Sequence, residues 1–201
     1  MKWIIFDMAG VVVHMYFGGR LRMDVDGKDL DLKDLYGLYD GPVYTRFMKG
    51  DASEEEVIRS FLERENMGLS VEQIKSVMRE TPSFIDGMPE LLDELKNDYS
   101  LAVLTNEGRE WVECKIRALG LERCFEFIIE SNKLHLLKPS REIFEKALEI
   151  LDAEPDDCLF IDDKEANCAG AEEVGIRSIL FRDTERLKKD IKAFCASSWS
   201  S

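Results

Sequence analysis

Three short apolar runs stop abruptly on residues that can do chemistry. Trp3-Ile4-Ile5-Phe6 ends on Asp7, Leu101-Ala102-Val103-Leu104 on Thr105 and Asn106, and Cys158-Leu159-Phe160-Ile161 on Asp162 and Asp163. A lone aspartate after a strand is usually a turn residue. Three polar strand ends brought to one edge are harder to dismiss, because open parallel sheets bind ligands at the carboxyl ends of their strands. Lys138 stands just before Pro139 at the start of a helical pattern. Alone it would read as a solvated surface lysine. Beside the three strand ends it reads as the cation that neutralises a nucleophilic carboxylate and an anionic substrate. One position departs from the pattern: two residues after Asp7, where a second carboxylate would complete a catalytic pair, stands Ala9.

The elements that must position these groups follow from local pattern. The three runs are short and bear no polar alternation, as strands buried on both faces do. "FEFIIE" and "RSILF" are two further strand candidates. Between them lie helical patterns with punctuation: Pro89 in a first turn, Asn106 as a cap for a helix that stops at Gly120, and Ser140 as a cap for "REIFEKALEIL". Strand and helix alternate from about residue 84 onward, which predicts an α/β fold with a doubly wound, Rossmann-like parallel sheet.

Residues 14–84 break the alternation. Ser53-x-x-Glu56 and Ser70-x-x-Gln73 each predict a capping box opening an amphipathic helix. The stretch "DVDGKDLDLKDLYGLYDG" is acidic and turn-rich. Its Asp24-x-Asp26-Gly27 is not a calcium loop, since the glycine is misplaced and no twelfth-position glutamate follows. The expected organisation is a core formed by 1–13 plus 85–201, with 14–84 inserted as a helical cap.

Bulk composition narrows the function. The 201 residues carry 27 basic and 41 acidic side chains, a net charge of −14. Such a surface repels nucleic acid and anionic membranes, so neither is an expected partner. A small anionic substrate is not excluded, because a metal ion and local donors can reverse the field inside one pocket. Asp7 interrupts the N-terminal apolar run, against a signal peptide, and no run approaches the roughly 20 residues of a membrane span. The five cysteines form no CxxC pair and the histidines are two, so buried free thiols in a reducing cytoplasm are expected rather than a zinc site. The oligomeric state is not legible in the sequence.

In four ordered places the chain resembles the haloacid dehalogenase (HAD) superfamily of hydrolases. "FDMAGVV" around Asp7 is similar to the nucleophile motif, "LAVLTN" with Thr105 to the second, and Lys138-Pro139 to the third. "CLFIDDKEANCAGAEEVGI" is similar to the fourth, in the D-D-x-x-x-N form of a branch that includes epoxide hydrolase N-terminal domains. The insert then resembles the family's helical C1 cap. The resemblance implies that Asp7 attacks phosphorus to form an aspartyl-phosphate. Thr105 and the Asn106 backbone would bind the phosphoryl oxygens, and Lys138 would stabilise charge. It implies Mg²⁺ as cofactor, held by Asp7, the Ala9 backbone carbonyl and Asp163, with Asp162 a less direct ligand. Asn167 stands where many relatives carry another aspartate.

The same resemblance makes Ala9 consequential. The aspartate usual at this position protonates the leaving group and activates water, help worth about 10²–10⁴-fold. Three readings therefore stay open: a weak or specialised phosphatase acting on small phosphorylated substrates; an impaired binding or regulatory protein for phosphorylated ligands; or phosphonatase- or dehalogenase-like chemistry. Phosphonatases share an alanine here but need a cap lysine, for which Lys28, Lys33, Lys49 and Lys75 are the candidates in the insert.

Overall fold

The computed structural model describes residues 2–198. Five parallel strands form the central sheet: β1 (Trp3–Phe6), β4 (Ser100–Thr105), β5 (Phe127–Glu130), β6 (Cys158–Asp162) and β7 (Arg177–Leu180). Their spatial order is β5-β4-β1-β6-β7. The chain leaves the central β1, fills one side of the sheet, then crosses to fill the other. This is the doubly wound, Rossmann-like arrangement.

The continuous apolar runs are explained by burial on both faces. Ile4, Phe6, Leu101, Val103, Leu159 and Ile161 pack into one core with residues of α4 (Met88–Leu95) and α9 (Thr184–Ser198). Their neighbours Trp3, Ile5, Ala102, Leu104, Cys158 and Phe160 pack into a second core under α7 (Arg141–Leu151) and α8 (Glu165–Glu172). Alternate side chains point to opposite faces, so a strand covered twice must be apolar throughout. Register carries the strand ends to one edge: Phe6 pairs with Val103 on one side and with Ile161 on the other.

Between β1 and α4 the chain builds a separate layer. It holds a hairpin, β2 (Arg22–Val25) and β3 (Lys28–Asp31), and a 3₁₀ helix, Leu32–Tyr39. Three helices follow: α1 (Pro42–Met48), α2 (Glu54–Glu65) and α3 (Val71–Glu80). Both expected capping boxes are present, at Ser53/Glu56 and Ser70/Gln73. Leu32, Leu35, Leu38, Phe47, Ile58 and Phe61 form a third apolar cluster here. The chain enters and leaves this layer side by side, His14 N–H donating to Ser83 O at 3.0 Å and Ile85 N–H to Val12 O at 3.1 Å.

The hairpin is an element that the sequence reading of a helical insert did not include. Asp26 and Gly27, at φ 53° and 78°, make a two-residue turn between the hairpin strands, and Asp24 Oδ1 accepts from Gly27 N–H at 3.0 Å. The cysteine reading also changes in detail. Cys158 and Cys168 are buried free thiols, Cys114 and Cys124 only half-buried, and the Cys195 side chain lies outside the described residues. Among the described residues no helix is long and apolar enough to cross a membrane.

Candidate active site

The strand ends converge. Carboxylate oxygens of Asp7, Asp162 and Asp163 lie within 4.8 Å of one another. Lys138, carried on the loop before α7, places its ammonium among them. Nζ donates to Asp7 Oδ1 at 2.7 Å, to Asp162 Oδ2 at 2.8 Å and to Leu104 O at 2.7 Å. Burial pulls this ammonium down, but the two carboxylates outweigh it and leave its pKa raised. Burial pushes the Asp7 carboxyl up, with Lys138 opposing and Asp162 adding to the rise.

The two acids after β6 differ in their surroundings. Asp162 is fully buried and fully engaged: Lys138 on one oxygen, the Asn167 amide at 3.0 Å on both, and Lys164 N–H at 2.9 Å. Asp163 is half-exposed as a residue, yet its Oδ1 is buried with no hydrogen-bond partner among the described residues. Burial raises its pKa, and the charges of Asp7 and Asp162 raise it further. Gly10, at φ +99°, gives the turn after Ala9 its room, because a Cβ there would lie 2.7 Å from Asp163 Oδ2.

This donor set fits a hard divalent cation. Three carboxylates against one ammonium leave a formal charge of −2, and one carboxylate oxygen is an orphan. Oxygen ligands of that kind suit Mg²⁺. Asp163, with its bare oxygen, and Asp7 are the acids that could hold it, whereas both oxygens of Asp162 are committed to Lys138, Asn167 and the Lys164 N–H.

Thr105 ends β4 and is buried at the cleft, which is also lined by Asp7, Ala9, Asn106 and Lys138 and encloses about 290 Å³. The expected helix cap at Asn106 is corrected: α5 (Arg109–Leu119) opens on Gly108. The Asn106 side chain instead clamps the Lys138 main chain, accepting from its N–H at 2.9 Å and donating to its O at 2.8 Å. Ser140 holds the cap position of α7 without making a side-chain cap bond. Sequence reasoning missed Glu107, next along from Asn106, which lines the same cleft. It missed also the ring wall of Tyr16, Tyr39 and Tyr44 that the insert contributes.

The family follows from sequence. Residues 31–181 match the model of the haloacid dehalogenase-like hydrolases, and the chain belongs to that family. Its relatives include the flavin mononucleotide hydrolase 1 of Arabidopsis thaliana, 31% identical over 190 residues that cover 94% of this chain and 75% of that one. Pyrophosphatase PpaX of Bacillus mycoides is 26% identical over 159 residues, 77% of this chain and 69% of that one. The chain is thus a hydrolase of the HAD superfamily. A HAD family enzyme of Bacteroides thetaiotaomicron, solved as a magnesium complex, shares the fold at a TM-score of 0.76. It is 22% identical, with 96% of this chain and 98% of that one covered.

Proposed function

We propose that the protein is a Mg²⁺-dependent phosphatase of small phosphorylated substrates that works through an aspartyl-phosphate on Asp7. The observation that carries this reading is Lys138 bridging Asp7 and Asp162 beside the orphaned oxygen of Asp163. A carboxylate so paired is held in place and aimed, as a nucleophile must be. Asp7 Oδ2, the oxygen not bonded to Lys138, attacks phosphorus, the P–O bond to the leaving group breaks, and the departing oxygen keeps the electron pair. Thr105 Oγ1 and the Asn106 main chain receive the phosphoryl oxygens, and Lys138 offsets their charge. Water then attacks the same phosphorus, releasing phosphate and restoring Asp7. Asp7, Asp163 and the Ala9 carbonyl are the proposed holders of Mg²⁺. When bound, the ion neutralises phosphate charge. The magnesium complex of the structural neighbour supports the choice of ion.

Ala9 sets the substrate range. Without a carboxylate there, the leaving oxygen takes its proton from water, so leaving groups stable as anions are favoured. Acyl phosphates and aryl esters meet that condition. In this reading residues 14–84 act as a cap over the cleft, hinged at the paired crossings near Val13 and Phe84, and 1–13 with 85–201 form the core. Ala9 also supports a second reading, a binding or regulatory protein for phosphorylated ligands. Phosphonatase chemistry draws no support from the cap lysines, since Lys28, Lys33, Lys49 and Lys75 do not line the cleft.

Phosphate release from acyl phosphates and phosphate monoesters, with Mg²⁺ or with chelator, separates these readings. The expected result is Mg²⁺-dependent turnover, fastest on acyl phosphates and abolished by Asp7→Asn. Absence of turnover with phosphate still bound would establish the binding reading in its place. Turnover that survives Asp7→Asn would remove the nucleophile assignment.

A further inference from the structure

The loop after Thr105 carries a charged group that the steps above do not use. Glu107 is 2% exposed, deep for a carboxylate. Its main chain is fixed on both sides: the N–H donates to Ser131 Oγ at 3.2 Å, and the carbonyl accepts from Asn132 Nδ2 at 2.9 Å. The side chain is half satisfied. Oε1 accepts from the buried ammonium of Lys115, on α5. Oε2 is buried and has no partner among the described residues.

A salt bridge that served only to fasten the loop to α5 would need no second oxygen left bare. A buried acceptor without a donor is costly, and native structures rarely leave one. Glu107 lines the cleft that holds Asp7. Glu107 thus shares one cleft with Asp7 and with the Tyr39 and Tyr44 rings, where the leaving group of a substrate bound at Asp7 would lie.

On the strength of the phosphatase reading, we propose that Glu107 is a specificity-determining residue. Its Oε2 accepts a hydrogen bond from an O–H or N–H donor on the leaving group of a phosphomonoester whose ring packs on Tyr39 and Tyr44. Donation to an ionised acceptor is the stronger kind of hydrogen bond. The same charge works against a leaving group that is itself anionic, because Lys115 is already occupied by Oε1. This disfavours pyrophosphate and favours ring-bearing monoesters.

The test compares kcat/KM for aryl phosphates matched in size, hydroxyphenyl and aminophenyl esters against methoxyphenyl esters, with pyrophosphate alongside, all with Mg²⁺. The wild type is expected to prefer a donor-bearing ester over its methoxy match by about 10- to 100-fold, the range for a hydrogen bond to a charged group. In Glu107→Gln, Lys115 claims the amide oxygen and the amide NH₂ turns to the cleft. The preference should then pass to the methoxy ester, which offers only an acceptor. Ratios are read, so a general loss of activity cancels. Should the single variant fold poorly around an unpaired Lys115, Glu107→Leu with Lys115→Met removes both charges and should bring the ratio near one. A wild type that hydrolyses the esters without donor preference, or variants that slow all of them by one factor, would overturn the inference and leave the phosphatase reading standing. A wild type that hydrolyses none of them and no acyl phosphate would overturn both.

Discussion

Asp163→Asn should stabilise the metal-free protein and abolish its response to Mg²⁺. The site holds three carboxylates against one ammonium, and Asp163 Oδ1 is buried with no donor among the described residues. An unsatisfied buried polar group costs about 1–3 kcal/mol. In a chain of 201 residues each kcal/mol moves Tm by about 2–4 °C, so relieving this cost should raise the metal-free Tm by about 2–12 °C. The wild type holding Mg²⁺ should gain about 2.7 kcal/mol at a hundred times Kd, or roughly 5–11 °C. In the variant that increment should vanish.

The assay is thermal unfolding of both proteins at pH 8, with chelator and with Mg²⁺. Repeating the metal-free scans across pH supplies a second check. Burial, Asp7 and Asp162 raise the Asp163 carboxyl above its usual 3.8. A carboxyl raised in the folded state contributes stability only while protonated. The wild type should therefore lose stability as pH climbs from about 3.8 through the raised value, relative to the variant. A variant that melts lower than the wild type in chelator, while keeping the Mg²⁺ increment, would refute both the strain and the assignment of Asp163 as a ligand.

Ala9→Asp should accelerate hydrolysis of alkyl phosphate monoesters by up to the roughly 10²–10⁴-fold range of acid–base catalysis, and acyl phosphates far less; equal gains on both in initial-rate assays would contradict the leaving-group argument. Gly108→Ala would drive a Cβ to 2.1 Å from the Phe47 ring of α1, and overpacking of that kind typically costs about 1–3 kcal/mol, read as a lower denaturation midpoint. Trp111→Phe deletes the Nε1 donor to buried Glu54 Oε1 at 3.1 Å, a bond between α5 and α2. It should cost about 1–3 kcal/mol by denaturant unfolding, and Glu54→Gln in the same background should recover part of that loss.

The parts of this fold legible in the sequence are those where one local pattern has one structural meaning. The apolar runs before Asp7, Thr105 and Asp162 read as doubly covered strands because alternate residues feed two different cores. The capping boxes at Ser53 and Ser70 were readable because each closes within four residues. The hairpin over Arg22–Val25 and Lys28–Asp31 was harder. Its Asp26-Gly27 turn is a known hairpin signal, but its strands alternate charge with few apolar residues, so the period-two pattern hardly shows. Asn106 was misread for another reason. Capping preference describes a residue's local options, and its actual partner is the main chain of Lys138, 32 residues away. Glu107 could not be found at all by pattern, because nothing in the sequence marks a buried carboxylate whose ammonium lies on the following helix.

Read as a phosphatase, the site separates two tasks that phosphoryl transfer normally joins. Charge handling is intact: Lys138 is fixed by two carboxylates, a carbonyl and the Asn106 clamp, and Asp163 keeps an oxygen bare for a cation. In the phosphatase reading, proton handling at the loop after Asp7 is missing, because Ala9 offers a methyl group in place of a carboxylate. The two losses are not equivalent. Without charge handling, phosphate would not stay beside a cluster of buried acids in a protein of net charge −14, whatever its leaving group. Without proton handling, only leaving groups that need a proton become slow. In that reading the arrangement selects substrates by leaving-group stability first, and by contacts in the cleft second. Tyr39, Tyr44 and Glu107 line that cleft, and the ring-bearing leaving group of low basicity proposed for it meets both conditions.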